Sequence, residues 1–420
     1  MAKPAKKQLE WANLEIGVII HPLMNIYNPD YDVKSAEHIR KYFPAEKYAP
    51  MKLDTDQWLA AAKSAGAKYA VLVANHCSGF SLWQTDANDY SVARSPWKDG
   101  KGDIVADFIA SCEKYDIRPG LYYSTGTNGY YGITNKSKLR TKEYDDYVKV
   151  VEAQLTELWT RYGKLFEIWF DGGIIPKEEG GPDVVSLLEK YQPDAICFQG
   201  PKSHAHNVRW VGNELGIAPE NCWSSTNLGE ADFDGCTENE DCGIGTPDGK
   251  YWMPCEDDMS NRRKGSYAGG WAWRAGEEDK VYTPEELFSC YLKSVGHNGN
   301  LLLGMVIDTD GLFPDTEQFS RFGELVRENF GRPVAETSGK GTSFTLSAAG
   351  KKAKYAVIEE DITEGHIIRG FRLIADGETI YTSECVGHKR IIPLDRAADT
   401  YTLEITESTS EPVLRGFKLY

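Results

Sequence analysis

Over the first three quarters of the chain, short apolar runs alternate with longer stretches in which apolar residues recur every three or four positions. The runs "IGVIIH" (16–21), "YAVLVANH" (69–76), "RPGLYYS" (118–124), "LFEIWFDGG" (165–173), "DAICFQG" (194–200), "NVRWVGNE" (207–214) and "NLLLGMVI" (300–307) predict strands. Helices are predicted over 54–68, with Asp54 at the start, and over 103–117, 144–163, 184–191 and 283–299, the last with Thr283 as N-cap before Pro284. Strands that are apolar at nearly every position are buried on both faces, which requires a parallel sheet with helices packed on it. Such alternation over about 300 residues suggests an α/β fold, a (β/α)8-like barrel irregular around its fifth to seventh units. A doubly wound open sheet is less favoured, because no glycine-rich phosphate fingerprint follows the first strand.

Past Pro333 the texture changes. "TSFTLS", "KYAVIEE", "GFRLIAD", "ETIYTS", "RIIPL", "TYTLEIT" and "VLRGFKLY" are short, alternating and separated by turn residues, the pattern of a small antiparallel β-sandwich. A chain of 420 residues exceeds the size of a single core and accommodates a catalytic barrel over 1–333 and a sandwich over 334–420.

In a barrel of this kind, functional residues stand where strands end, at the C-terminal mouth. Asp171 follows five mostly bulky residues and precedes Gly172 and Gly173, which let the chain turn away without crowding it. The same placement also suits a carboxylate that merely caps a turn. His21, His76, Tyr123 and Glu214 end other strand-like runs, and barrel closure gathers such ends together. Two carboxylates facing across a pocket fit glycosidic bond cleavage, one as nucleophile and one as acid and then base. The first must stay ionised, while the second needs its proton held by desolvation or by a negative neighbour.

A formal charge of −16 repels phosphate backbones and anionic lipid, so neither nucleic acid nor a membrane is an expected partner. Aromatic residues make up 12%, with 11 Trp and 23 Tyr, a surplus that suits stacking on sugar rings. The nine cysteines form no C-x-x-C pair. Cys236 and Cys242, with Cys255 nearby, are read as ordinary thiols before a metal site. A metal-dependent hydrolase built on His21, His76 and Asp171 is a competing class, but no His-x-His occupies the first strand, and the "HAH" of His204 and His206 lies in a polar stretch. "IDTDG" (307–311) is read as a turn before a calcium loop. The start "MAKPAKKQLEW" is basic without the apolar stretch of a signal peptide.

The segments "GVIIH", "AGAKYAVLVANHCSGFSLW", "SPWKDGKGDIVADFIASCEKYDIRPGLYYS", "YGKLFEIWFDG", "VRWVGNE" and "SVGHNGNLLLGM" resemble, in order, those of the retaining α-L-fucosidases, glycoside hydrolase family 29. The resemblance implies a (β/α)8-like barrel with a C-terminal β-sandwich, hydrolysis of terminal α-L-glycosides with retention, a glycan substrate and no cofactor. It implies Asp171 as nucleophile and Glu214 as acid/base, with Glu256 in reserve and Glu220 third. Around the sugar it and the strand ends place His21, Asn75, His76, Trp83, Tyr123, Trp169, Asn213 and Trp223, with Glu256. Export to the periplasm or medium is expected by analogy, with cytoplasmic residence the alternative. Departures from the family's pattern occur at Pro22, Asn75, Cys77, Ser78 and Ser124 to Thr127. They raise two alternatives: α-L-galactosides, as in algal galactans, in place of fucosides, and a glycan-binding relative without catalysis.

Overall fold

Eight parallel strands close into a barrel in chain order: β1 (Ile16–His21), β2 (Tyr69–Asn75), β3 (Arg118–Tyr123), β4 (Glu167–Trp169), β5 (Ile196–Phe198), β6 (Asn207–Trp210), β7 (Cys255–Met259) and β8 (Gly299–Val306), with β8 pairing back on β1. The structure is a computed structural model that describes residues 2–134, 137–227 and 243–420. Helices α1 (Lys6–Ala12), α2 (Ala36–Tyr42), α3 (Thr55–Ser64), α4 (Ile104–Tyr115), α5 (Lys142–Arg161), α6 (Val184–Tyr191), α7 (Pro284–Ser294) and α8 (Thr316–Phe330) accompany them. Asp54 caps α3 by accepting from the Asp56 and Gln57 amides, and Thr283 with Glu286 forms a capping box on α7. Among the described residues no α-helix separates β5 from β6, so the irregular stretch begins at the fifth unit.

Alternation along each strand sorts the core into two parts. Ile19, Tyr69, Val71, Tyr122, Trp169, Phe198 and Leu302 fill the lumen, while Val18, Ile20, Leu72, Tyr123, Ile168, Phe170 and Leu303 pack outward on the helices. The basic N-terminus is helical: from α1, Gln8 donates to the carbonyls of Asn207 and Trp252, and Trp11 joins the lumen cluster, closing the lower end of the barrel.

One strand, β7, escaped the reading of apolar runs, because three of its five residues are Glu256, Asp257 and Asp258. All five are buried.

The C-terminal part is two four-stranded antiparallel sheets. β9 (Ala335–Lys340), β10 (Ser343–Ser347), β11 (Tyr355–Glu360), β12 (Ile368–Ala375), β13 (Glu378–Ser383), β14 (Arg390–Pro393), β15 (Thr400–Ser408) and β16 (Val413–Leu419) assemble in the orders β9-β16-β11-β14 and β10-β15-β12-β13. The sandwich grips the stretch between β6 and β7. Tyr381 donates to Glu220, His366 accepts from the Ser224 amide, and the His366 ring lies edge-on to Trp223 at 5.1 Å. Glu220 and Trp223 therefore serve this joint, and neither belongs to the mouth: this corrects Glu220 as third acid/base candidate and Trp223 as a residue beside the sugar.

Candidate active site

Glu167, Trp169 and Asp171 share the lumen face of β4 and its extension, with Asp171 uppermost. The next two residues, Gly172 (φ 70°) and Gly173 (φ 75°), both take the left-handed conformation that releases the chain outward. Tyr122 donates from Oη to Asp171 Oδ2 at 2.7 Å. Burial and the Asp171 charge hold the Tyr122 phenol well above its ordinary value, so it remains a donor. Its ring stacks on Trp169 at 5.3 Å, and Trp169 stacks on Phe198 at 3.7 Å. The third-strand tyrosine at the site is thus Tyr122 and not Tyr123, whose hydroxyl points the other way and donates to Gln154 of α5 at 2.6 Å. A shift of one residue reverses the face of a strand.

Glu214 lies in the turn after β6, half exposed and with φ at 52°. The Asn213 side chain builds that turn, donating to Ile217 O at 2.8 Å and accepting from the Leu215 amide at 2.8 Å. Asn213 is therefore committed to shaping the loop rather than to contacting substrate. Leu215 bridges Met259, and the Gly216 amide donates to Asp258 O at 3.1 Å, which lays the turn across the upper end of β7. Lys264 donates to Asn213 O and stands 3.8 Å from Glu214.

Glu256, the reserve acid/base, is fully buried in the barrel floor. It accepts from Tyr69 Oη at 2.7 Å and Trp169 Nε1 at 2.9 Å, and burial raises it to about 7. Glu167 beside it is likewise pushed well above its ordinary value, by burial and then by the charge of Glu256. With no opening to the mouth, Glu256 cannot protonate a leaving group. Two residues on, Asp258 lies within electrostatic reach of Asp171 and Glu214, and Trp210 Nε1 donates to its Oδ1 at 2.7 Å.

The histidines do converge. His21 ends β1 with its ring 5.0 Å from that of Trp271, and burial together with the charge of His76 lowers it to about 3, leaving it neutral. His76 Nδ1 lies 3.1 Å from Cys77 Sγ, and its ring is 5.7 Å from that of Tyr122. Burial opposes charge on His76, but the Cys77 thiol and the Asp171 carboxylate outweigh it and raise the imidazole above its usual range.

Two other expected contacts lie elsewhere. Trp83 is fully buried behind the barrel and donates to Glu157 of α5 at 2.8 Å. Asn75 is equally buried, donating to Gly79 O and Ser81 Oγ to close its own loop. Tyr122, Trp210, Asp258 and Trp271 were missed; for Asp258 and Trp210 the signal was available, since each stands two residues from a lumen-facing neighbour.

A cleft of about 1140 Å³ opens beside Asp171, walled by Gly126, Ile174, Pro176, Val184 and Pro201. Among the described residues no three His, Cys, Asp or Glu side chains gather as a metal site. His204 bonds to Ala195 O, Asp308 caps its own turn by accepting from Asp310 and Leu312, and Cys255 lies beside Cys222; Cys236 and Cys242 lie outside the described residues. No helix is long and apolar enough to cross a membrane among the described residues.

A closed parallel barrel bearing carboxylates from separate strand ends, with imidazoles and indoles around them, has the site of a glycoside hydrolase. The α-L-fucosidase family model matches residues 21–327, and the chain belongs to that family, glycoside hydrolase family 29. It is 32% identical over 345 residues to α-L-fucosidase 1 of Arabidopsis thaliana, covering 79% of this chain and 62% of the plant protein. It is 32% identical over 374 residues to a provisionally named α-L-fucosidase 1 of rice, covering 86% of this chain and 66% of that one. The chain thus spans just under two thirds of these relatives. A crystal structure of a provisionally named α-L-fucosidase from Bacteroides thetaiotaomicron superposes with a TM-score of 0.90 at 33% identity, covering 100% of this chain and 99% of that chain.

Proposed function

We propose that this protein is an exo-acting, retaining α-L-fucosidase that removes terminal α-L-fucose from glycans by double displacement. The observation that carries the reading is Asp171, delivered by β4 into the mouth and held through one oxygen by Tyr122, which leaves the other free to attack. Asp171 displaces the aglycone at the anomeric carbon while Glu214 gives its proton to the departing oxygen, forming a glycosyl-Asp171 ester. Glu214 then takes a proton from water, which attacks the same carbon and frees Asp171 with configuration retained. The bridge from Leu215 to Met259 supports Glu214 in this role, because it fixes the turn over the mouth.

The small residues Cys77 and Ser78 after β2, and Ser124 and Thr125 after β3, support admission of α-L-galactosides as well, since L-galactose differs from L-fucose only by a hydroxyl on C6. The test is turnover of 4-nitrophenyl α-L-fucoside and α-L-galactoside with product configuration followed by NMR. α-Configured first product, inactivity of Asp171→Ala and rescue of Glu214→Ala by azide are expected. An inverted first product, or near-normal turnover by Glu214→Ala, overturns the assignment. A kcat/KM ratio strongly favouring fucoside removes the galactoside extension.

A further inference from the structure

Strand β7 turns two carboxyls, Glu256 and Asp258, onto one face two residues apart, and the upper one stands within electrostatic reach of both Asp171 and Glu214. Both oxygens of Glu256 are engaged, by Tyr69 and Trp169. Asp258 is 4% exposed, and the bond given to it is that from Trp210 Nε1 to Oδ1. Among the described residues no donor is paired with its Oδ2, and Asp171 and Glu214 lie within electrostatic reach of it. The backbone carbonyl of Asp258 receives the Gly216 amide, which stations the Glu214 turn directly over this side chain.

The groups that face Asp258 are Asp171 from the end of β4, Trp210 and Glu214 from β6 and its turn, and Glu256 from its own strand. On β8 its register partner is Leu302. Three of these neighbours are anionic when ionised. The nearby cation, Lys264, lies against Glu214.

We propose that Asp258 is a substrate-positioning residue of this site, holding its proton on Oδ2 and donating it to a sugar hydroxyl between the nucleophile and the acid/base. Burial, countered by the Trp210 bond and reinforced by Glu214, Glu256 and Asp171, raises Asp258 to about 8, so the donor persists through the neutral range. Above that value it becomes an acceptor and adds a second negative charge beside Asp171. Sugar hydroxyls both donate and accept, whereas ionised carboxylates only accept, and a neutral acid among them supplies a donor. The inference rests on the α-L-glycosidase reading of the site.

The experiment follows kcat/KM from pH 5 to 10 on α-L-fucosyl fluoride, whose leaving group needs no protonation, so that the alkaline limb does not report Glu214. L-Fucose binding is followed by calorimetry over the same range. Wild type should lose kcat/KM and affinity above about pH 8. Asp258→Asn keeps an acceptor for Trp210 and an N–H donor towards the sugar but does not ionise. It should stay within about tenfold of wild type at pH 6 and show no alkaline loss. Asp258→Ala should fall roughly 10- to 100-fold below wild type at pH 6, in KM more than in kcat. An alkaline limb retained by Asp258→Asn in both readouts, or Asp258→Ala within twofold of wild type, overturns the proposal. Wild type that binds L-fucose without turning over the fluoride refutes the catalytic reading instead, and the binding curves then judge Asp258 alone.

Discussion

The parity of β3 is open to a sharp test, because adjacent tyrosines on opposite faces should fail in opposite ways. Tyr122→Phe deletes the 2.7 Å bond to Asp171 while leaving the ring on Trp169. A hydrogen bond to a charged acceptor is worth about 1.5 to 3 kcal/mol, equivalent to roughly 10- to 150-fold in rate if wholly spent on orienting the nucleophile. Part of it weakens as Asp171 becomes an ester, so a fall in kcat/KM of about 10- to 50-fold is expected. The fold should barely notice, since Asp171 stands at the exposed mouth. Tyr123→Phe instead leaves Gln154 Oε1 without its donor in the buried layer against α5, at a cost of about 1 to 3 kcal/mol in stability, with kcat/KM within twofold of wild type. The assays are initial rates on an α-L-fucoside and denaturant melts of the same preparations. If Tyr123→Phe loses activity while Tyr122→Phe keeps it, the assignment of lumen and outer faces is wrong, and the site built on it fails too.

Glu256→Ala should cost about 2 to 4 kcal/mol in denaturant melts, because Tyr69 Oη and Trp169 Nε1 both lose a buried acceptor, and its activity should not recover with azide; recovery would return Glu256 to the chemistry. Stability should fall as pH rises from about 6.5 to 8, whereas at lower pH the lowered His21, His297 and His388 offset part of the change. Glu167, Glu256, Asp257 and Asp258 are all raised in the fold, so the folded chain keeps protons that the unfolded chain releases above about pH 4. Each group still protonated in the fold removes about 1.4 kcal/mol per pH unit, up to about 7 for Glu256 and about 8 for Asp258, and a denaturation midpoint as high at pH 8 as at pH 6.5 would contradict the burial described. Trp83→Phe should lose about 1 kcal/mol through its bond to Glu157 and leave KM unchanged, whereas a several-fold rise in KM would place the indole back at the sugar.

How far the site could be read in advance depended on which property of a residue its neighbours reveal. Asp171 was legible because two glycines mark the exit of a buried strand, and their positive φ values bear that out. Seven of the eight barrel strands were legible for the same reason: a strand covered on both faces needs apolar residues at nearly every position. Orientation was harder. "LYY" ends β3 with two equivalent rings, and nothing in the letters tells which one enters the lumen until the register with β4 pairs Tyr122 with Trp169. Trp83 and Trp223 illustrate the same ambiguity across longer distances, since an indole suits a sugar, a helix layer or a domain joint equally well.

The seventh strand exposes a deeper limit, and one that a different reading would lift. Apolar content identifies strands through the cost of burying polar groups, yet that cost vanishes where each carboxyl either keeps its proton or finds a donor. Glu256 and Asp258 satisfy the condition through Tyr69, Trp169 and Trp210, three residues that lie on other strands and more than 40 positions away in the chain. Their partners are therefore invisible locally, but their spacing is not. Acids at alternate positions, flanked by Cys255 and Met259, have the period of a strand and the wrong polarity for its core, and in a closed barrel such a pair fits the lumen face below the mouth. Read this way, "CEDDM" locates the site as directly as "WFDGG" does, because both mark where the barrel spends stability on polar chemistry.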